Sequence, residues 1–257
     1  MTMSFDPAAP LAGPPDPWAS THQPSDRDRP PFHMTEMIAA EPAIARRIVS
    51  SVAAPGGPGQ RLGTAIADAA SAGSPIVVTG CGTSEHAAQA VVEILRDAMR
   101  TAGLPGPGPS SAQAFELSLD PSSGGLVIGI SHEGGTAATT AALEAARANG
   151  AVTAMLTVSD RSPGAAAADI VVPTAELDQS WCHTVGYLSP IVAAVAVGSL
   201  LAGGVGATTA IAGSAPASGL ADALAELLAS GTREETAAER IAARFADASR
   251  LIVIASG

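Results

Sequence analysis

The chain has 257 residues, 47% of them hydrophobic, which is enough for one good-sized core with segments to spare. Its formal charge of -11 argues against nucleic acid and against an anionic membrane surface as partners. The 13 residues counted as lysine or arginine are all arginine, so no lysine is available for Schiff-base chemistry.

Residues 1–31 are rich in proline, Asp and Ser, with Pro14-Pro15, Asp16-Pro17 and Pro30-Pro31, and show no periodicity. They read as a disordered, solvated leader, with a partner-binding tail as the alternative. The opening residues also lack a charged-then-apolar signal pattern. From His33 on, Met34, Met37, Ile38, Ile44, Ile48 and Val49 keep helical spacing. Pro42 interrupts them and predicts two short helices or one broken one. A Gly/Pro turn at 54–60 precedes a helix through Leu62, Ile66 and Ala69.

A strand is predicted at 75–79, followed by Gly80-Cys81-Gly82-Thr83-Ser84 and a helix to about Thr101. The inner stripe of that helix is Ala87, Ala90, Val91, Ile94, Leu95 and Ala98. After a loop at 103–109, residues 111–119 fit a short edge strand or a helical turn. The apolar run Leu126-Val127-Ile128-Gly129-Ile130 is a buried strand. It runs into Ser131-His132-Glu133-Gly134-Gly135-Thr136 and a helix stopped by Gly150. Further strands are expected at 152–158 and 169–173, with a short helix at 162–167 between them. A polar loop at 176–184 leads into a long apolar helix.

Strands alternating with helices at this spacing predict an α/β fold, a doubly wound five-stranded parallel sheet in three α/β/α layers. In the flavodoxin-like order 2-1-3-4-5, with 111–119 supplying the second strand, the first and third strands are neighbours at the switch point where ligands bind. Those strands feed the two small-residue turns. Side by side, such turns make an anion pocket, most simply for a phosphate. Ordinary N-capping is the competing explanation for their hydroxyls.

From 184 to 220 there is no charged residue. Pro190, several glycines and the absence of flanking positive clusters favour a buried helix over a membrane span. Residues 206–219 are low-complexity. Two helices follow, through Leu220, Leu224 and Leu228 and through Ile241 and Phe245. The last residues, Leu251-Ile252-Val253-Ile254 and then Ala255-Ser256-Gly257, repeat the plan of 75–82, as though a second copy of the fold begins there. Cys81 and Cys182 lie in separate predicted loops and read as free thiols of a reducing, cytoplasmic compartment.

His86, His132 and His183 each follow a predicted strand and, with Glu85 and Glu133, could converge on one crevice. Acid–base work suits residues titrating near neutrality. A metal site drawing on Cys81, Cys182 or Glu133 lacks zinc-type ligand spacing, and solvated or capping histidines are the remaining alternative. Glu133 beside an anion is repelled by it, so it turns to ligand hydroxyls or meets a ligand amine. Trp181 either stacks on a ligand ring or packs the loop.

The pieces Cys81-Gly82-Thr83-Ser84 and Ser131-x-x-Gly134-x-Thr136 resemble the two phosphate-binding turns of the sugar isomerase (SIS) domain family. The nearest pattern is the isomerase part of glucosamine-6-phosphate synthase and stand-alone amino-sugar-phosphate isomerases and deaminases. The lead-in Met34-x-x-Met37-Ile38-x-x-Glu41-Pro42 is similar too, with Met37 and Glu41 in place of the usual Glu and Gln. The second turn carries His132, Glu133 and Gly135 where the family has Gln, Ser and Glu. Trp181-Cys182-His183-Thr184-Val185 stands for the synthase's Val-Ala-Ser-Thr-Lys.

The resemblance implies that Ser84, Ser131 and Thr136 hold a substrate phosphate with nearby backbone N–H groups, and that residues near Thr184 line the sugar. The candidate substrate-binding set is therefore Gly82, Thr83, Ser84, Ser131, Gly134, Gly135, Thr136, Trp181 and Thr184. The candidate catalytic set is His132, Glu133 and His183. Residues 32–219 would form a first SIS domain with N-terminal helices, and 220–257 the helices and first strand of an incomplete second repeat.

Expected function is binding of an amino-hexose or ketohexose 6-phosphate, with aldose–ketose isomerisation or deamination in the complete form. A non-catalytic sugar-phosphate sensor or partner subunit is the alternative. No cofactor and no metal are required, and a homodimer without nucleic acid or membrane partners is implied.

Overall fold

The computed structural model of the chain describes residues 5–16, 18–19, 26–180, 182–203, 217–250 and 252. Strands β1 (Ile76–Gly80) and β3 (Leu126–Ile130) are buried at every position. Runs apolar on both faces belong to strands that helices cover from both sides. With β2 (Ser110–Gln113), β4 (Val152–Thr157) and β5 (Ile170–Pro173) they form a parallel sheet, five-stranded among the described residues, in the order β2-β1-β3-β4-β5. This is the doubly wound order that the strand–helix alternation predicts.

The ambiguous stretch 111–119 is both of its alternatives in turn. β2 passes directly into α4 (Ala114–Leu119), where the Gln113 side chain accepts the N–H groups of Phe115 and Glu116. The side chain caps the helix and ends the strand together.

Alternate strand residues face two separate cores. Ile76, Val78, Leu126, Ile128 and Leu156 join α1 (His33–Val52), α2 (Pro58–Ser71), α3 (Thr83–Thr101) and α7 (Thr184–Gly203) on one side. Val77, Val127 and Met155 join α4 and α5 (Ala137–Ala148) on the other.

Pro42 does not break α1, which continues through it as one helix. A proline inside a helix costs about 3 kcal/mol. Met37 and Ala40 before it and Ile44, Ile48 and Val49 after it are all buried in the same core. Each large side chain so buried contributes roughly 1.5–3 kcal/mol, so packing wins.

Helix α7 is long and apolar enough to cross a membrane by length and composition, yet 67% of its apolar window is buried inside the protein. It lies against α1, α2 and α3 as a core helix.

The leader departs from expectation. Residues 5–16 are docked rather than free. Phe5 and Leu11 pack against the larger core, and the Leu11 N–H donates to Glu176 Oε2 at 2.9 Å. The Leu177 N–H donates to the Ala12 carbonyl, and Arg161 pairs with Asp16. Glu176, itself buried, also takes both arms of Arg47 at 2.5 and 2.8 Å. Residues 5–16 thus add a backbone donor to a buried carboxylate that Arg47 already pairs.

Helix α8 (Ala217–Arg233) begins before residue 220 and packs on α1, where Leu220 and Ala221 enter the same core. Helix α9 (Glu235–Arg244) follows, with Ile241 exposed. Apart from Ile252, the strand expected at 251–254 lies outside the described residues.

Candidate functional site

β1 and β3 are neighbours with Thr79 opposite Gly129, so the turns that follow them leave the same edge of the sheet side by side. The first turn, after Gly80, is open. Cys81, Gly82 and Thr83 are exposed and Ser84 is half-buried. Gly82 is the N-cap of α3 at φ 60 and ψ -125, a conformation reserved for glycine, and no side chain caps the helix.

The second turn is pinned, with Ser131, His132 and Gly134 buried and Gly135 and Thr136 exposed. Ser131 is 2% exposed, and its N–H donates to the Leu156 carbonyl of β4. The His132 carbonyl accepts from the Val158 N–H at 2.7 Å and from Thr157 Oγ1 at 3.0 Å. The Gly134 carbonyl accepts the Gly164 N–H of α6 (Pro163–Ala166). A Cβ added at Gly134 (φ 70) would fall 2.0 Å from Ser162 Oγ, so only glycine fits there.

Thr136 occupies the N-cap position of α5, but its side chain does not cap the helix. Its Oγ1 lies 3.1 Å from Ser131 Oγ instead. Two hydroxyls therefore converge beside a helix N-terminus whose dipole favours an anion. Ordinary capping does not explain them.

A third group joins these turns. The loop after β5 carries Asp178 and Ser180, both buried, and α7 opens at Thr184. The Asp178 N–H donates to His132 Nε2 at 2.8 Å. His183, immediately before α7, sits at φ 49 with its ring edge-on to His132 at 6.3 Å between centroids. Ser180 Oγ lies 3.5 Å from Thr184 Oγ1. The structure thus brings His132, His183 and Thr184 into one neighbourhood. His86 is exposed on the first turn of α3 and takes no part in the ring contact. Trp181 lies outside the described residues. Cys81 and Cys182 are free and exposed. Among the described residues no three of His, Cys, Asp or Glu gather as a metal-binding group.

His132, expected as an acid–base group, is buried, and its Nε2 accepts the Asp178 N–H. Burial pushes its pKa down to about 4, and His183 adds to this. The Asp178 and Glu133 carboxylates offset only part of the burial. With Nε2 accepting a backbone N–H, the neutral ring carries its proton on Nδ1, an assignment that follows from the hydrogen bond.

Sequence reasoning missed two carboxylates. Asp178 accepts three hydrogen bonds, from the N–H and the hydroxyl of Ser180 and from the Gly186 N–H. Glu41 of α1 has its pKa raised to about 7, by burial first and by the charge of Asp178 second. An Asp two residues before a Ser is a local turn signal, which hints at the first bond but not at Gly186.

The SIS domain model matches residues 70–203, over half of the chain. This chain belongs to the SIS domain family. A search of curated proteins gives no match. Among solved structures, the chain is similar to the C-terminal domain of glucosamine-fructose-6-phosphate aminotransferase from Francisella tularensis. There the TM-score is 0.65 at 18% identity, over 87% of this chain and 62% of that one. It is similar as well to a protein from Silicibacter pomeroyi DSS-3 described as a phosphosugar isomerase, with a TM-score of 0.59 at 20% identity, over 78% and 57% of the two chains. Glucosamine-6-phosphate deaminase from Thermotoga maritima gives a TM-score of 0.54 at 15% identity, over 77% and 53%. This SIS chain thus spans less than two thirds of each of these structures. At these identities the likeness is one of fold.

Proposed function

We propose that this SIS chain binds a phosphorylated sugar, an amino-hexose or ketohexose 6-phosphate, across the ends of β1 and β3 and the start of α7. The observation that carries the reading is the Ser131–Thr136 hydroxyl pair, set at an α5 N-terminus that no side chain caps. Hydroxyls and amides suit a dianion in a chain as acidic as this one, since they bring a field without a cation. Ser84, Gly82 and Thr83 supply the second wall. Gly134 and Gly135 shape the first, while His183 and Thr184 face the sugar.

In the complete protein, the reaction class is aldose–ketose isomerisation or deamination, with proton transfer next to a carbonyl. Glu133, half-buried at the turn, and His183 are the groups placed to move that proton. His132 positions them. A second reading, a non-catalytic sugar-phosphate sensor, is favoured by the inert environment of His132 and by the absence of lysine. A homodimer in the cytoplasm accords with either reading.

Calorimetry with fructose 6-phosphate and glucosamine 6-phosphate, alongside an isomerase and deaminase assay, tests the proposal. Binding that is lost in Ser131→Ala/Thr136→Ala supports it. Unchanged binding in that double variant overturns it. Turnover separates the enzyme from the sensor.

A further inference from the structure

We propose that Asp178 is the positioning residue of the site, fixing the sugar-facing start of α7 at a set distance from the phosphate turn. The inference rests on the sugar-phosphate reading above.

Asp178 is 8% exposed and uses both carboxylate oxygens. Oδ1 accepts from the Ser180 N–H and the Ser180 hydroxyl, each at 2.7 Å, and Oδ2 accepts from the Gly186 N–H at 2.8 Å. Gly186 is the third residue of α7, so its N–H is one of the donors that a helix cannot satisfy internally. The residue before the helix would normally serve it with a short oxygen-bearing side chain. That residue is His183, whose imidazole stands against His132. Asp178 serves from five residues further back.

The same residue reaches the other way. Its backbone N–H holds His132 Nε2, and His132 follows Ser131 directly. Both imidazoles pack on Gly186, where an added Cβ would lie 3.1 Å from His132 Cγ and 3.1 Å from His183 Nδ1. A continuous path therefore runs from the phosphate hydroxyl through His132 and Asp178 to the first turn of α7. His183 lies on that path at φ 49, which costs a non-glycine residue on the order of 1 kcal/mol or more. Hydrogen bonds to a buried carboxylate are strong enough to hold it there. Without the carboxylate, His183 relaxes toward an ordinary backbone conformation and the sugar end loses its register with the phosphate end.

The test is Asp178→Asn, which keeps the shape and the bonds from Ser180 but turns a donor toward the Gly186 N–H. Ser180→Ala is the milder companion should Asp178→Asn fail to fold. Isothermal titration with inorganic phosphate reads the phosphate turns alone, and glucosamine 6-phosphate and fructose 6-phosphate read both ends. The better-bound sugar phosphate should lose about tenfold in affinity in Asp178→Asn, and less in Ser180→Ala. Phosphate affinity should stay within about twofold of the wild type.

Equal loss for phosphate and sugar phosphate makes Asp178 merely structural and overturns the proposal. So does no loss for either, or a wild type that binds sugar phosphate no better than phosphate. A wild type that binds none of the three probes removes the sugar-phosphate reading itself.

Discussion

The two turns that flank the candidate site share a plan of strand, small residues and helix, yet they are built to different tolerances. The turn after β1 is exposed, and its shape rests on the backbone of Gly82, with open space where a Cβ would go. The turn after β3 is buried at Ser131, His132 and Gly134, opens to solvent only at Gly135 and Thr136, is tied to β4 and α6, and carries a side-chain hydroxyl pair. Sheet position explains the contrast. β3 lies in the middle of the sheet, and the ends of its neighbours close around its turn, whereas β1 borders the short edge strand β2. A pinned wall can define where a phosphate sits, and an open wall can admit and release it.

The comparison breaks most visibly at Gly134. Gly134→Ala forces a methyl group onto Ser162 Oγ at a positive φ, and should cost about 3 kcal/mol or more and abolish phosphate binding. Gly82→Ala meets only backbone strain and should cost about 1–3 kcal/mol, with the fold kept in a thermal melt. Equal destabilisation of the two variants would remove the distinction. The hydroxyls sharpen it next. Ser131→Ala should weaken phosphate binding about tenfold by calorimetry, and Ser84→Ala only a few-fold.

Protonation separates the pinned turn from the helix that faces its loop. Unfolded, His132 would charge near pH 6.5, but in the fold burial holds it to about 4. Its contribution to stability is present above pH 6.5 and is lost as pH falls toward 4. His132→Gln, which keeps an acceptor for the Asp178 N–H, should flatten that acid limb of a melting-temperature profile. Glu41 has the opposite sign. Its folded pKa of about 7 exceeds the ordinary value of 4.5, so stability is present below pH 4.5 and is lost as pH rises through 7. Glu41→Gln should therefore raise stability at pH 8 by on the order of 1 kcal/mol, the smallest effect here, because Glu41 is partly solvated.

Much of this architecture is legible in the chain itself. Val77, Val127 and their neighbours announce buried parallel strands, and the glycines and hydroxyls after them announce helix starts. The parts that escape depend on contacts between distant residues. Leu11 looks like one apolar residue in a proline-rich tract until Glu176, far along the chain, takes its N–H. Pro42 predicts a break that the core on both sides of it overrides. Asp178 reads as one more polar loop residue, because its partners His132 and Gly186 come from different elements. His132 itself has the residue type for proton transfer, and its burial and its bond to Asp178 are not legible from the sequence.

The most direct measurement is a crystal structure of the protein grown with glucosamine 6-phosphate or fructose 6-phosphate. The account predicts phosphate oxygens within hydrogen-bond distance of Ser131 Oγ and Thr136 Oγ1, with Ser84 on the facing side. A phosphate bound elsewhere, with the Ser131–Thr136 pair left unchanged, would contradict it.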